Sequence, residues 1–287
     1  MIKSSRKIHR GFHFTSNYFV VSDGIMIHYR AVITQVKSPT IVFIHGLGGD
    51  AVSFEEEQKK LSKLGISSLA IDLRGHGLSG DPVGADSYTI NRLSKDVVEI
   101  IDELSLKSVI ICGHCFGGMV SMYLAATYPS ILSGLMLVET SFRATCFGLN
   151  ESFSKRLAKT FAALAYAFPK GMAQEHAYED QYRQSNDINL SRFISDAKTT
   201  SLRSYLFCCS QVFSFNAKKI LKNIVVPTVV VAGENDSFFP PEMVKKTSDW
   251  ILDASLLVVP GVNHIMVTNN PEVLTEIITK FVSGLNL

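Results

Sequence analysis

The 287-residue sequence has few charged residues and no long apolar segment. Charged side chains make up only 19% of it, and 28 basic against 26 acidic residues give a net charge of +2. This balance provides no electrostatic basis for binding nucleic acid. The apolar runs, such as residues 109–112 and 229–232, are far too short to cross a bilayer, so no membrane span is expected.

Cysteine spacing typical of a metal site is also missing. The five cysteines, an odd number, show no CxxC…CxxC or Cys/His ligand pattern, so no metal is expected. Cys112 and Cys115 have the spacing of a redox pair, but the glycines around them favour the different interpretation given below. Free thiols indicate a reducing compartment, and we expect a cytoplasmic protein.

The N-terminal segment has no acidic residue before Asp23 but carries four basic ones, Lys3, Arg6, Lys7 and Arg10. It lacks the apolar core of a secretory signal, so export is not expected. A basic, acid-poor segment could instead direct the chain to an organelle. The composition favours a frayed, solvated terminus over that alternative.

Short β-branched runs alternate with longer helical patterns along most of the chain, which is typical of a parallel sheet with crossover helices. The Asp-Gly pair at 23–24 predicts a hairpin between strands at 17–22 and 26–30. Further strands are predicted at residues 41–45, 68–72, 109–113, 134–138, 228–232 and 255–259. Helices are predicted at residues 53–64, 90–104, 117–128 and 271–282.

Residues 141–216 break the alternation because they contain helical patterns and no convincing strand. Helices are predicted there at 151–167, 171–184 and 190–210. The simplest interpretation is a helical cap, residues 141–216, inserted into one core domain formed by residues 1–140 and 217–287. The sequence therefore predicts an α/β protein with a mostly parallel central sheet, flanking helices and an inserted helical cap.

One turn in the sequence points to a nucleophile. An apolar strand at 109–113 leads directly into Gly-His-Cys-Phe-Gly at residues 113–117 and then into a helix. So sharp a turn forces its central residue, Cys115, into a strained conformation and requires glycine two positions before and after it. The thiol then stands beside a helix N-terminus, whose positive potential favours a thiolate. The alternative is an inert buried thiol at a tight turn.

This Gly-x-Cys-x-Gly turn resembles the nucleophile elbow of the α/β-hydrolase family, with cysteine in the usual place of serine. The resemblance covers nearly the whole chain and implies the chain order nucleophile, acid, histidine. Asp236 follows the strand at 228–232, where the family has its acid, and the neighbouring Glu234 competes for that role. His264 lies in the loop before the last helix, at the place of the family's catalytic histidine. The resemblance thus implies catalytic roles for Cys115, Asp236 and His264.

The resemblance also implies an oxyanion hole made of two backbone N–H groups. One belongs to Leu47 in the His-Gly-Leu-Gly loop at 45–48, and the other to Phe116 directly after the nucleophile. This loop is neither a G-x-G-x-x-G nor a Walker sequence, so a nucleotide is not expected. Since the triad chemistry requires no cofactor, none is implied.

Other polar residues near these motifs receive structural interpretations. The segment at 72–79, with Asp72 and Arg74, resembles a recurrent stretch of the family and is best explained as turn architecture. His114 immediately precedes the nucleophile, and side-chain alternation along a strand predicts that it points to the opposite side.

The cysteine determines the expected chemistry. A thiolate is the stronger nucleophile near neutral pH, so we expect hydrolysis of a carboxylic ester or thioester through an acyl-cysteine intermediate. A cysteine argues against the halide- and epoxide-cleaving relatives, which use a carboxylate. An acyltransferase with a non-water acceptor and a non-catalytic ligand-binding receptor are the alternatives, and the oligomeric state is left open.

The cap determines which acyl group can bind. Some of its aromatic side chains could line an apolar pocket, while the majority are expected to pack the cap onto the sheet. We therefore expect a small-molecule ester or thioester with a small to medium, apolar acyl group. The aromatic residues considered are Phe142, Phe147, Phe153, Phe161, Tyr166, Phe168, Phe193, Tyr205 and Phe207.

Overall fold

The computed structural model of the chain describes residues 3–9, 12–34, 39–144, 151–171, 174–175 and 186–285. The strands are β1 (Lys3–His9), β2 (Phe12–Val20), β3 (Met26–Val32), β4 (Thr40–Ile44), β5 (Ser68–Ile71), β6 (Val109–His114), β7 (Gly134–Val138), β8 (Thr228–Gly233) and β9 (Ala254–Val259). They form one nine-stranded sheet in the order β1-β2-β3-β5-β4-β6-β7-β8-β9. The chain is therefore an α/β protein, as predicted.

The α-helices of the described residues are α1 (Glu55–Lys63), α2 (Ile90–Glu103), α3 (Phe116–Thr127), α4 (Glu151–Ala165), α5 (Leu190–Thr199), α6 (Leu202–Ser214), α7 (Pro241–Asp249), α8 (Met266–Asn269) and α9 (Pro271–Gly284). No helix in this part of the chain is both long enough and apolar enough to span a membrane. Two apolar clusters, one on each side of the sheet, hold the helices against it: α2 and α3 contribute to one, and α1 and α9 to the other.

The amino-terminal strands are antiparallel, and the predicted hairpin is confirmed. Strands β2 and β3 pair antiparallel, and Gly24 in their turn has a φ of +83°. The expectation of a frayed terminus is wrong, because β1 pairs antiparallel with β2 along its length. Strand β2 begins at Phe12 rather than at residue 17, since the alternation of buried Phe12 and Phe14 with exposed His13 extends the strand toward the N-terminus.

The six strands from β5 to β9 in the sheet order run parallel, so their carboxyl ends meet at one edge. Ile44 at the end of β4 pairs with Gly113 in β6, and Val138 at the end of β7 pairs with Val231 in β8. Residues that follow β4, β6, β7 and β8 are therefore neighbours in space although they are distant in the sequence. In open α/β sheets this edge is where ligands bind.

Helices α4, α5 and α6 lie between β7 and β8 in the chain. The single helix predicted at 190–210 is wrong: it is two helices, because Thr200 is extended and the Ser201 side chain accepts a hydrogen bond from the Ser204 N–H, which starts α6. The helix predicted at 171–184 falls mostly outside the described residues. Helix α4 packs along α6, with the rings of Phe161 and Phe213 stacked at 5.5 Å.

The segment at 72–79 has the structural role expected of it. The Asp72 carboxylate accepts hydrogen bonds from the N–H groups of Ala51 (2.6 Å) and Leu78 (2.8 Å) and contacts Nδ1 of His28 at 2.7 Å. Arg74 is fully buried in ion pairs. These contacts join the loop after β5 to β3 and to the loop after β4.

A carboxyl group in α1 is buried away from water. Glu57 is fully buried, and neither of its carboxyl oxygens has a hydrogen-bond partner within the described residues. Burial raises its pKa well above the usual value, and the nearby charges of Glu56 and Glu272 add to this effect, whereas its own backbone N–H and the charge of Lys60 oppose it in part. The native state therefore holds a proton on Glu57 that the unfolded chain releases as the pH rises.

We expect Glu57→Gln to stabilise the protein at neutral pH. The pKa of Glu57 is higher in the folded than in the unfolded chain. The native state is therefore favoured below the pKa that Glu57 has in the unfolded chain. Above that pH the free energy of unfolding falls by about 1.4 kcal/mol per pH unit, until the pH reaches the pKa of Glu57 in the folded chain. Urea unfolding of both proteins at about pH 5 and about pH 7.5 measures this difference. The advantage of the variant should grow with pH, whereas Glu103→Gln, at an exposed site in α2, should give no such trend. An advantage of Glu57→Gln that is independent of pH would contradict the explanation.

Candidate active site

Cys115 occupies a strained turn between β6 and α3, as the sequence predicts. Its φ of +52° lies in the left-handed region, which a non-glycine residue rarely adopts. The surrounding backbone holds this conformation: the Cys115 N–H donates to the carbonyl oxygen of Val138 (3.0 Å), and Thr140 Oγ1 donates to the Cys115 carbonyl oxygen (2.7 Å). The half-buried side chain thus projects from the carboxyl edge of the sheet.

The two glycines of the turn are required by close approach. A methyl carbon at Gly113 would lie 2.6 Å from the carbonyl oxygen of Gly117, and one at Gly117 would lie 2.1 Å from the carbonyl oxygen of Ile44. Both distances are too short for a real Cβ contact. The absence of side chains here lets the start of α3 press against the end of β4.

Asp236 and His264 are brought together by the loops after β8 and β9. Both are buried, and Nδ1 of His264 lies 2.9 Å from Oδ2 of Asp236. The other oxygen, Oδ1, accepts hydrogen bonds from the N–H groups of Phe238 and Phe239, each at 2.8 Å, which fixes the carboxylate. The competing Glu234 is exposed and instead accepts a hydrogen bond from the Gly261 N–H.

The protonation of His264 reflects opposing influences. Burial lowers its pKa, whereas the adjacent Cys115 sulfur and the hydrogen-bonded Asp236 carboxylate raise it, and the net pKa lies well above the usual value. A raised pKa means that the ring holds its proton more tightly than in the unfolded chain. The protonated ring can donate a hydrogen bond to the adjacent Cys115 sulfur.

The loop after β4 lies against the nucleophile. A methyl carbon at Gly46 would be 3.3 Å from Cβ of Cys115, so the loop backbone passes directly beside this side chain. The N–H groups of Leu47 and Phe116 donate to no protein acceptor among the described residues. Both amides are therefore available to a ligand oxygen.

A cavity of about 260 Å³ opens over these groups. Cys115 and His264 line it together with Leu47 from the loop after β4. The opposite wall comes from α5 and α6, including Arg192 and Tyr205. The cavity wall is mostly apolar, which suits an acyl group more than a charged one.

His114 lines the same cavity, so the prediction that it points to the opposite side is wrong. Alternation holds only within a strand, and the positive φ of Cys115 ends the regular strand geometry directly after His114. The ring of His114 lies 5.2 Å from that of His264, and its Nε2 lies 3.0 Å from the His264 carbonyl oxygen. Burial lowers the pKa of His114 to about 3, so this ring is neutral and Nε2–H can donate.

Sequence reasoning missed Asp187, a buried residue in the segment before α5. Its Oδ1 accepts a hydrogen bond from the His264 N–H (2.7 Å), and its Oδ2 accepts from both the N–H (2.8 Å) and the hydroxyl (2.6 Å) of Ser237. One carboxylate therefore joins the loop of His264 to the loop of Asp236. No motif indicated it, because its partners, two backbone N–H groups and one hydroxyl, lie far from it in the sequence.

We expect Asp187→Ala to lower kcat about 10- to 100-fold, because a displacement of the His264 loop of about 1 Å misaligns the reacting groups. Steady-state kinetics with an activated ester measures the loss. Asp187→Asn keeps an oxygen for the His264 N–H but lacks a second acceptor for Ser237, so it should lose less activity than Asp187→Ala. Full activity of the alanine variant would show that the loops hold their positions without Asp187.

One trio of side chains among the described residues is compact enough for a metal ion. Atoms of His114, Glu139 and His264 lie within 4.8 Å of one another. However, Nε2 of His114 is hydrogen-bonded to the His264 carbonyl, and Nδ1 of His264 is bonded to Asp236. We therefore interpret the trio as a hydrogen-bonded cluster and not as a metal centre.

The described aromatic residues considered for the cap divide among packing, lining and exposed positions, and not only between packing and lining as expected. Tyr205 lines the cavity, whereas Phe142 packs against Trp250 with ring centroids 4.6 Å apart. Phe207 is fully buried and packs against Tyr88 and Tyr166. Phe153, Tyr166 and Phe168 are exposed, Phe161 packs on Phe213, and Phe147 and the side chain of Phe193 lie outside the described residues.

Comparison with known proteins agrees with the fold. A family model described as alpha/beta hydrolase fold matches residues 39–271. The chain is 26% identical to Protein ABHD8 of Mus musculus over 84% of this chain and 54% of that protein, so it spans about half the length of this relative. It is 24% identical to a putative esterase/lipase of Haemophilus influenzae, over 94% of this chain and 93% of that protein. The crystal structure of the enol-lactonase from Burkholderia xenovorans superposes with a TM-score of 0.73 and 25% identity, over 93% of this chain and 99% of that one.

Proposed function

The chain belongs to the α/β-hydrolase family, and on that basis we propose that it hydrolyses a carboxylic ester or thioester through an acyl-cysteine intermediate. The observation that carries the proposal is the position of Cys115 at the strained elbow, beside a buried His264 whose Nδ1 is bonded to Asp236. We assign Cys115 as nucleophile, His264 as acid and base, and Asp236 as the group that orients the imidazole.

In the acylation step, the Cys115 thiolate attacks the carbonyl carbon of the substrate. The carbonyl oxygen gains the negative charge and accepts hydrogen bonds from the N–H groups of Leu47 and Phe116, each of which contributes about 3 kcal/mol to the transition state. As the C–O or C–S bond breaks, the His264 imidazolium gives its proton to the departing alcohol or thiol. Cys115 then carries the acyl group as a thioester.

In the deacylation step, His264 removes a proton from a water molecule that attacks this thioester. The carboxylic acid leaves, and the sulfur regains its charge beside the imidazolium. Throughout both steps the Asp236 carboxylate keeps the proton on Nδ1 and offsets the positive charge of the ring. The two hydrogen bonds to its other oxygen hold it ready for this role.

The substrate class follows from the cavity and from the relatives. We propose that residues 141–216 form a cap over a core of residues 1–140 and 217–287, and that the cap closes an acyl pocket. A mostly apolar cavity of about 260 Å³ suits a small to medium acyl group. The names esterase/lipase and enol-lactonase, borne by two relatives, refer to ester bonds and support this choice. The free thiols of Cys112, Cys208 and Cys209 agree with a reducing, cytoplasmic environment.

Intact-protein mass spectrometry tests the intermediate directly. The protein is mixed with p-nitrophenyl acetate, p-nitrophenyl butyrate and the butyryl thioester of a small thiol, and acidified at short times. We expect one added acyl mass that peptide mapping assigns to Cys115, together with a burst of p-nitrophenol. The adduct should decay in water as the carboxylic acid appears.

A matched control separates the nucleophile from its neighbour in the cavity. Cys209 also lines the cavity, so Cys209→Ala should leave the adduct unchanged if Cys115 is the acylated thiol. An adduct on Cys209, or none with any substrate, would overturn the proposal, and the second result would favour the non-catalytic receptor. An adduct that leaves only when an alcohol, thiol or amine is added would identify an acyltransferase.

A further inference from the structure

Three buried side chains outside the cavity form a hydrogen-bonded row. Oγ of Ser16 in β2 lies 2.9 Å from Nε2 of His28 in β3, and Nδ1 of the same ring lies 2.7 Å from Oδ2 of Asp72, directly after β5. Each of the three residues is at most 2% exposed. Their atoms follow the order of a Ser-His-Asp triad, yet none of these residues lines the cavity over Cys115.

Burial argues against a second nucleophile in this row. A nucleophilic hydroxyl has to meet a substrate, whereas Ser16 is buried and the ring of Tyr18 packs over His28 with ring centroids 5.0 Å apart. The role of the row is therefore to be sought at its other end, in what the Asp72 carboxylate holds.

Asp72 holds one end of the oxyanion loop, residues 45–50, which carries Leu47. Oδ1 of Asp72 accepts a hydrogen bond from the N–H of Ala51 (2.6 Å), directly after this loop. At the other end of the loop, Nε2 of His45 accepts a hydrogen bond from the N–H of Leu73 (2.9 Å). Both ends of the oxyanion loop are therefore bonded to two consecutive residues, Asp72 and Leu73.

Between these two ends the oxyanion loop forms a tight turn. The N–H of Gly49 donates to the carbonyl oxygen of Gly46 (3.1 Å), and Gly48 has a φ of +79°, as the third residue of a type II turn requires. The hydrogen bond of such a turn makes no use of the N–H of its second residue, Leu47. A further contact comes from α5, because Oγ1 of Thr200 at its end donates to the carbonyl oxygen of Gly48 (3.2 Å). The direction of the Leu47 N–H thus depends on how the ends of the loop are held.

We propose that His28 is a positioning residue for the oxyanion hole: it holds the Asp72 carboxylate so that the oxyanion loop presents the Leu47 N–H to the substrate. The proposal rests on the proposed function, which assigns this N–H to the oxyanion. A buried carboxylate that loses a donor turns or takes up a proton, and its bond to the Ala51 N–H weakens. The backbone of Asp72 is held separately, by its N–H bond to the His28 carbonyl oxygen (3.0 Å).

The charge of Asp72 determines which atom of the ring donates. Burial raises the pKa of Asp72, but the charge and the hydrogen bond of the adjacent His28 lower it, the N–H of Leu78 adds to their effect, and the net pKa lies below the usual value. An ionised carboxylate only accepts hydrogen bonds, so Nδ1 of His28 carries the hydrogen. In the neutral ring Nε2 then accepts from the Ser16 hydroxyl, which fixes the ring plane.

Two substitutions of His28 separate its two hydrogen bonds. The amide nitrogen of asparagine lies close to the position of Nδ1, so His28→Asn keeps a donor for Asp72 and loses the contact with Ser16. The amide of glutamine lies close to the position of Nε2, so His28→Gln keeps the contact with Ser16 and loses the donor. We expect kcat/KM with p-nitrophenyl butyrate to fall about 30-fold in His28→Gln and only about 3-fold in His28→Asn.

A thionoester distinguishes a displaced oxyanion hole from a weakened fold. In p-nitrophenyl thionobutyrate a sulfur replaces the carbonyl oxygen, and sulfur accepts hydrogen bonds poorly, so catalysis of its reaction depends less on the Leu47 N–H. His28→Gln should therefore lose about 30-fold with the ester but only about 3-fold with the thionoester. Equal losses with the two substrates, or no loss with the ester, would overturn the proposal.

Ile27→Ala is the matched control. Ile27 is the fully buried neighbour of His28 in β3, and its truncation leaves a cavity in the same strand without changing the row. This variant should unfold at a lower urea concentration, while the ratio of ester to thionoester activity stays at the wild-type value. The same change of ratio in Ile27→Ala as in His28→Gln would assign the effect to the strand and overturn the role of the ring.

Ser16→Ala decides the matter should His28→Gln not fold. It removes one hydrogen bond and leaves the ring in place, so the ester activity should fall about 3-fold and the thionoester activity should not change. Equal activities of Ser16→Ala and wild type with both substrates, or equal losses, would overturn the proposal. A failure of the proposed function would already appear in wild type, as the lack of an acyl adduct on Cys115.

Discussion

Cys115→Ala is expected to lower kcat/KM by about 10⁴-fold or more, because the alanine side chain cannot form the covalent intermediate that divides the reaction into two easier steps. Steady-state assays with p-nitrophenyl butyrate and with the butyryl thioester measure the loss. The fold should survive, since a smaller side chain at the half-buried Cys115 introduces no clash. Thermal unfolding therefore serves as the check that activity alone has changed.

Cys115→Ser is the informative companion to this variant. A serine hydroxyl is a weaker nucleophile than a cysteine thiol and depends on His264 to remove its proton during attack. We expect Cys115→Ser to retain about 10⁻² to 10⁻³ of the wild-type activity and to resist iodoacetamide. Cys209→Ala should behave as wild type in both respects. If Cys115→Ala kept wild-type turnover, the nucleophile would lie elsewhere and only the fold assignment would stand.

The sheet and the nucleophile turn could be predicted because their signals are local. A strand, a Gly-x-Cys-x-Gly turn and a helix follow one another within residues 109–128, and steric rules alone fix their shape. The Asp-Gly turn at 23–24 predicted its hairpin for the same reason. In each case the residues that determine the structure are adjacent in the chain.

The surroundings of His264 could not be predicted because they depend on residues that the sheet brings together from distant segments. Asp187 lies 77 residues before His264 and 50 before Ser237 in the sequence, and it contacts them mainly through backbone N–H groups, which leave no pattern in the sequence. Glu139 contacts Met266 across 127 positions. The prediction for the orientation of His114 was wrong for a related reason, since the strained turn at Cys115 interrupts the side-chain alternation of the strand that precedes it.

A single close contact supports the geometry of the whole site. The start of α3 lies against the end of β4 at Gly117, and this approach sets the distance between the nucleophile and the loop of Leu47. The two amides assigned to the oxyanion hole come from these two elements. Any side chain at Gly117 should therefore disturb both the fold and the oxyanion hole.

Gly117→Ala is expected to destabilise the protein by roughly 4 kcal/mol or more, among the largest effects of single substitutions. The added carbon would lie 2.1 Å from the carbonyl oxygen of Ile44 and 2.5 Å from that of His45, and these are backbone atoms in and beside a central strand that cannot turn away. Urea unfolding measures the loss. Gly284→Ala, where no atom lies within 4 Å of the added carbon, is the matched control and should leave stability within about 0.5 kcal/mol. If Gly117→Ala proved as stable as this control, the contact between α3 and β4 would be looser than described, and the separation of the two amides would no longer be fixed by the fold.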